Sequence, residues 1–341
     1  MHAFRLSGPG KAGVEEVPVP EPGPGQVRVA VSAAGVCHSD LHVIHDGAGD
    51  QWAMPFTLGH EICGVVDKIG VGVTGLAPGA QVVVHAPVGC GECARCHAGM
   101  TNYCDRRRTL SAAGIGLGVD GGMAEYVVID ARAAVPAPGL DPRLAATLTD
   151  AGLTSYHALN SVPGLEKGAL IVVIGIGGLG HLALQMARAL HDARVVAVDT
   201  RPEPLALAEK LGAAAVARDG EEATAAVRRL SGGWGADAVL DFAGVPATTA
   251  FSPDLLRTAG TLVLVGTGGG SYQVTKAGTL PQGLRVSLPF WGSRTELEEV
   301  VALAGRGELR TETTAWSLDE AAEVMRRLHH GEVLGRAVLL P

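Results

Sequence analysis

Cys90, Cys93, Cys96 and Cys104 share one short stretch of chain, spaced Cys-x2-Cys-x2-Cys-x7-Cys. Four thiolates on one loop close a tetrahedral shell with no position left for a reactant, which is the layout of a structural zinc. The alternative, four unrelated buried thiols, does not need that spacing. A second set of possible ligands is dispersed. Gly35-Val36-Cys37-His38-Ser39-Asp40 and Gly59-His60-Glu61 both carry metal-binding residue types, and neither identifies a site alone. With 12 histidines in the chain, most must serve elsewhere. His85, His97, His157 and His181 are expected in loops or on the surface. Cys63 is expected to pack as a small apolar residue, and Arg106-Arg107-Arg108 to be a solvated loop.

The third motif is Gly175-Ile176-Gly177-Gly178-Leu179-Gly180, a G-x-G-x-x-G run. It follows an apolar strand, Ala169 to Ile174, and opens a helix expected over 179–190. Asp199 ends the next expected strand, Arg194 to Val198, 19 residues beyond Gly180. In that setting the motif is a dinucleotide fingerprint. Gly175 permits the turn, Gly177 lets the backbone approach a pyrophosphate, and Gly180 allows close helix–strand packing. The phosphates would sit at the helix N-terminus, where free N–H groups favour anions. Asp199 can accept from the adenosine ribose hydroxyls and would repel a 2′-phosphate, which favours NAD over NADP; Arg201 nearby pulls the other way.

The elements that must position these residues fall into two patterns. Up to about residue 150 the chain reads as short strands (27–31, 64–69, 81–84) punctuated by Gly and Pro, consistent with a partly closed barrel with long loops. From 150 onward, continuous apolar strands at 169–174, 194–198, 238–242 and 261–265 alternate with helices at 150–159, 179–190 and 204–211. This signals a parallel, doubly wound α/β sheet. Helices at 296–304 and 318–328 and a strand at 336–339 close the chain. Its 341 residues suit two domains. The 47% apolar content marks a globular chain, and the net charge of -8 argues against nucleic acid. No apolar run is long enough to span a bilayer. The N-terminal residues lack the layout of a signal peptide, so a cytoplasmic location with reduced thiols is expected.

Taken together, the two ligand stretches, the four-cysteine loop and the glycine motif resemble the zinc-containing medium-chain alcohol dehydrogenases over essentially the whole chain. Asp150-Ala151-Gly152-Leu153-Thr154 and Trp291-Gly292-Ser293-Arg294 further resemble a bacterial subgroup acting on secondary alcohols and ketones. The resemblance implies a GroES-like catalytic domain over 1–150, a Rossmann domain over 151–293, and a C-terminal segment, 294–341, that completes the catalytic domain. It implies NAD, one catalytic and one structural zinc, a small alcohol, ketone or aldehyde substrate, and a homotetramer.

The same resemblance implies residue roles. Cys37 and His60 would bind the catalytic zinc, Asp40 would orient His60, and Glu61 would lie beneath the metal as a transient ligand. Asp150 stands where the family usually has a cysteine. It is open to two readings, a third ligand or the cap of a helix starting at Ala151. A carboxylate there would leave the zinc a harder Lewis acid. Ser39 matches the family's relay hydroxyl and His42 its outer base, so the alcohol proton would leave through Ser39, the cofactor ribose and His42; a plain loop histidine is the other reading of His42. Thr154 and Val265 would flank the nicotinamide, and Arg336 would contact the pyrophosphate. Trp52 and Trp291 are expected either to wall the substrate pocket or simply to pack in a core. Competing functions are another zinc dehydrogenase of the superfamily, a zinc-free quinone or enone reductase, and a non-catalytic cofactor-binding protein.

Overall fold

Val27, Val29, Val31 and Ala33 are buried and alternate with half-exposed residues along the strand Gln26–Gly35, the period of a sheet with one covered face. The computed structural model describes residues 1–46, 52–276 and 278–341. They divide into two units, Met1–Leu153 with Trp291–Pro341, and Thr154–Phe290. No helix among the described residues is long and apolar enough to cross a membrane.

In the first unit Gln26–Gly35 is the hub of a seven-stranded sheet. Glu61–Ile69, Gln81–Val84 and Ala134–Pro136 follow on one side, and Arg336–Leu340 and Thr313–Ser317 on the other; Tyr126–Asp130 also pairs with the hub. A three-stranded sheet of Lys11–Glu16, His2–Gly8 and Phe56–Thr57 packs into the same core. The register matters for chemistry. Gly35 lies opposite Glu61 on one side and Val338 on the other, so the ends of three strands meet there.

The second unit is a six-stranded all-parallel sheet. In space its strands run Ala215–Ala217, Arg194–Val198, Leu170–Ile174, Ala236–Asp241, Leu256–Leu264, Arg285–Ser287. Counted within the unit this is the order 3-2-1-4-5-6, which reverses beside its first strand. Leu170–Ile174 is buried at every position, as a strand covered on both faces must be.

Several elements, among them the helix His38–Asp46 and the strand Thr313–Ser317, lie outside the expected set, and two stretches differ for clear physical reasons. The helix expected from 150 begins earlier. Pro142–Thr147 is α-helical, Leu148–Gly152 is a turn of π-helix, and Leu153–Asn160 resumes the α-helix. The helix Gly220–Ser231 is among those not anticipated. It buries only the small residues Ala223, Ala226 and Val227, too narrow a stripe to announce itself, although Asp219 caps its start and Gly232 ends it at φ 67°.

Candidate active site and cofactor turn

Cys37 ends the hub strand's continuation, His60 and Glu61 open the strand Glu61–Ile69, and Asp150 sits in the π-helical turn. One ligand atom from each lies within 4.8 Å of all the others. Cys37 Sγ is 3.5 Å from Asp150 Oδ2, and His60 Nε2 is 3.7 Å from the same oxygen. Tetrahedral zinc bonds would set these separations at about 3.5 and about 3.3 Å. The donor set therefore fits one zinc with little adjustment. The carboxylate of Asp150 faces this cluster, and the residue lies inside a continuous helical run, not at its start. That geometry favours the ligand reading over the cap. Asp150 stands within the turn of π-helix Leu148–Gly152, and π-bulges of this kind are frequent at functional sites.

The cluster's surroundings favour a cation. Asp40 is fully buried; its Oδ2 accepts from Cys37 N at 2.9 Å, and its Oδ1 lies 3.3 Å from His60 Nδ1, poorly aligned for a hydrogen bond. Burial alone would lower the pKa of His60, but the charge of Asp40 and the polar groups of Asp150 and Cys37 around the ring raise it well above the usual value. The acidic groups of Asp40, Glu61 and Asp150 around Cys37 and His60 suit a bound cation. Arg336 adds positive charge of its own. It is 3% exposed, its guanidinium forks onto both oxygens of Glu61, and Nη2 also lies 3.3 Å from Asp150 Oδ2. Burial pushes the Glu61 carboxyl up, against the pull of that guanidinium. Gly35 makes the arrangement possible, since a Cβ there would stand 1.9 Å from Glu61 Oε2.

The four cysteines form the second cluster. Cys90 Sγ and Cys96 Sγ, and Cys93 Sγ and Cys104 Sγ, are 4.0 Å apart, close to the ~3.8 Å edge of a zinc tetrathiolate. Backbone N–H groups of Cys96 and Cys90 donate to the sulfurs of Cys93 and Cys104, at 3.4 and 3.3 Å. Burial and three neighbouring sulfurs push Cys96 up to about 12. Four thiolates this close need a cation among them, and the residues fit zinc.

The glycine turn lies in the second unit. Gly175 has φ 84°, open to glycine at little cost. A Cβ on Gly180 would meet Gly175 O at 2.0 Å, whereas one on Gly177 would meet nothing within 4 Å of the protein. Gly178 and Leu179 complete the turn into the helix Gly180–His191. Asp199 Oδ2 accepts from Ile176 N at 2.9 Å, and its Oδ1 accepts from Arg201 N and Nε at 3.0 and 3.3 Å. Thus Asp199 ties its own strand end to the glycine turn. Thr154 is buried, and Val265 is half-buried with its N–H donating to Asp241 O at 2.9 Å.

The alcohol dehydrogenase GroES-like domain matches residues 23–139, and the zinc-binding dehydrogenase domain matches residues 178–306. A curated NAD-dependent alcohol dehydrogenase of Sulfolobus acidocaldarius is 36% identical, over 96% of this chain and 95% of its own. The chain belongs to the zinc-binding alcohol dehydrogenase family. Among solved structures, the alcohol dehydrogenase of Aeropyrum pernix superposes with a TM-score of 0.90 at 36% identity, covering 100% of both chains. A cobalt- and zinc-bound thermostable alcohol dehydrogenase of Pyrobaculum aerophilum gives 0.87 at 29%, covering 100% of this chain and 99% of its own.

In this dehydrogenase the remaining expected residues fall as follows. Ser39 is half-buried with Oγ 3.7 Å from Cys37 Sγ; His42 is exposed and lies three residues on along the helix His38–Asp46, hence on the same face. Trp291 is 5% exposed and edge-on to His60, with ring centroids 5.5 Å apart. Trp52 stacks edge-on against Phe56 at 6.1 Å. Arg336, expected at the pyrophosphate, is placed in the first unit on Glu61 and Asp150.

Two expectations need correction. His181 is neither in a loop nor on the surface but buried in the helix Gly180–His191, and His85, in a loop as expected, is buried too: His85 Nε2 bonds Gly292 O at 3.0 Å and His181 Nδ1 bonds Gly177 O at 2.8 Å. The His85 ring partners the Gly292 carbonyl, and the Gly177 carbonyl takes the His181 ring as well as the His181 N–H, at 3.3 Å. Arg107 is also half-buried, donating to Val88 O and Ala113 O at 3.3 and 2.8 Å and pinning the four-cysteine loop. Cys63 is buried, and burial pushes its thiol up to about 11, in keeping with a packing role.

Proposed function

We propose that this dehydrogenase carries out reversible hydride transfer between small primary or secondary alcohols, with their aldehydes or ketones, and NAD(H). The observation that carries the reading is the convergence of Cys37, His60 and Asp150 at zinc-ligand distances. Three protein ligands with a fourth position for reactant are the pattern of a catalytic zinc, in contrast to the closed four-cysteine set. When bound, zinc acidifies the alcohol and the nicotinamide takes the hydride. Cys37, His60 and Asp150 hold the metal; Glu61 stays on Arg336. Asp40 orients His60 by facing its Nδ1.

Ser39 takes the hydroxyl proton, and His42, exposed on the same helix face, hands it to water. Gly175 to Gly180 receive the pyrophosphate at a helix start, and Asp199 receives the adenosine ribose, which supports NAD. Thr154 and Val265 flank the nicotinamide. Trp291, against the ligand His60, and Trp52 wall the substrate space and favour small or flat apolar substrates.

The domain reading is a GroES-like domain over 1–150 completed by 294–341, around a Rossmann domain over 151–293. The protein acts in the cytoplasm as a homotetramer. Val286, Leu288 and Phe290, exposed on and just after the sheet's edge strand, support self-association.

The test is NADH and NADPH oxidation with a panel of ketones and aldehydes, before and after zinc is stripped. NADH turnover lost on chelation and regained with zinc is the expected result. Turnover that survives loss of the metal at Cys37 and His60 would bring the zinc-free reductase forward.

A further inference from the structure

His85 directly follows the strand Gln81–Val84, and its N–H donates to Ala133 O at 2.8 Å. Its buried ring crosses to the returning C-terminal segment, where Nε2 lies 3.0 Å from Gly292 O. A carbonyl only accepts, so Nε2 carries the hydrogen. Burial holds the ring's pKa below its ordinary value, so the imidazole is a neutral donor.

The residue before Gly292 is Trp291, at φ 52°. A bulky side chain occupies this left-handed region only where its surroundings fix it. Three contacts fix it here. Ser293 and Glu296 form a reciprocal capping box that starts the helix Arg294–Gly305. Gly292 is pressed against Leu153, whose Cδ1 would lie 2.5 Å from an added Cβ. Gly114 leaves room for the indole, whose Cη2 would meet a Cβ there at 2.8 Å. Held this way, the Trp291 ring stands perpendicular to His60, at 89°.

We propose that His85 is the positioning residue for Trp291: through the Gly292 carbonyl it keeps the indole in its left-handed seat against the metal-ligand ring of His60. His85 thereby sets the size of the space beside the metal while belonging to neither metal cluster. The inference rests on Trp291 walling the substrate space, and its test separates the two.

His85→Leu keeps the bulk and removes the donor; His85→Gln keeps a donor of comparable reach; His85→Asn is too short to bridge. Each is compared with Trp291→Ala in the zinc-loaded enzyme. The first readout is the ratio of kcat/KM for an aryl ketone to that for a small methyl ketone. The second is the indole N–H resonance of Trp291, assigned with Trp291→Phe and independent of turnover. His85→Leu is expected to shift the ratio about tenfold, the scale of a modest change in pocket size, and to move or broaden the resonance, with His85→Gln restoring both. Should His85→Leu not fold, His85→Asn is expected to show the same two changes. If the ratio shifts in Trp291→Ala while His85→Leu and His85→Asn leave ratio and resonance unchanged, His85 does not position the indole and the wall reading stands. If Trp291→Ala leaves the ratio unchanged, the wall reading itself fails, and this inference with it.

Discussion

At the scale of single residues, Asp150 carries the most information. Its Oδ2 lies within reach of Cys37, His60 and Arg336 together. Removing a ligand should cost zinc affinity by at least the ~10–100-fold seen for outer-shell partners. Asp150→Ala, dialysed against a weak competitor, should therefore keep the four-cysteine metal and lose the other, read as metal content per chain. Unchanged content would return Asp150 to a structural role. Ser39→Ala should lower kcat by about 10²–10⁴-fold, the usual worth of a positioned proton-transfer group, while leaving NADH affinity, read by fluorescence titration, unchanged.

His85 makes a pH prediction. Burial holds its folded pKa below the ordinary 6.5, so below pH 6.5 the unfolded chain binds the proton first and stability falls with pH. That loss is confined to the window between 6.5 and the lower folded pKa. His85→Leu lacks it, so its melting temperature should fall less than the wild type's between pH 7 and pH 5.5.

At the scale of elements, the glycine turn separates two uses of the same residue type. Gly180 sits where a Cβ would strike Gly175 O, whereas a Cβ on Gly177 meets no protein atom within 4 Å. Gly180→Ala should lower the melting temperature by forcing the helix Gly180–His191 away from the turn at Gly175. Gly177→Ala should leave melting unchanged and weaken NADH about tenfold or more, ~1.4 kcal/mol, because the open space is where the pyrophosphate must come. Calorimetry and fluorescence titration on the two variants give opposite patterns if the turn binds dinucleotide. The π-helical turn is the complementary case. Leu148–Gly152 has no sequence mark, yet it aims Asp150.

At the scale of the whole molecule, two metals have different duties. The four-cysteine loop is largely exposed, holds little apolar core, and is pinned by Arg107. A structural zinc contributes its binding energy to the fold. Cys93→Ser should therefore lower the melting temperature and hasten proteolysis within 90–110, with NADH binding preserved. Equal protease resistance of variant and parent would mean that the loop is held by its backbone contacts alone.

Much of the site is legible in the chain itself. Spacing alone marked the four cysteines, because one loop must supply all four ligands. The apolar strand, glycine turn and Asp199 were legible because a dinucleotide site is built from consecutive elements. Those features are local, and the sequence by itself determined them, along with the parallel-sheet class. The Arg336–Glu61–Asp150 contacts, the burial of His85 and the left-handed seat of Trp291 were decided only by tertiary structure. Each joins segments far apart in the chain through strand register: Gly35 between Glu61 and Val338, and the returning Gly292 carbonyl on His85. Pairing of that range depends on which strands become neighbours, and no local periodicity encodes it.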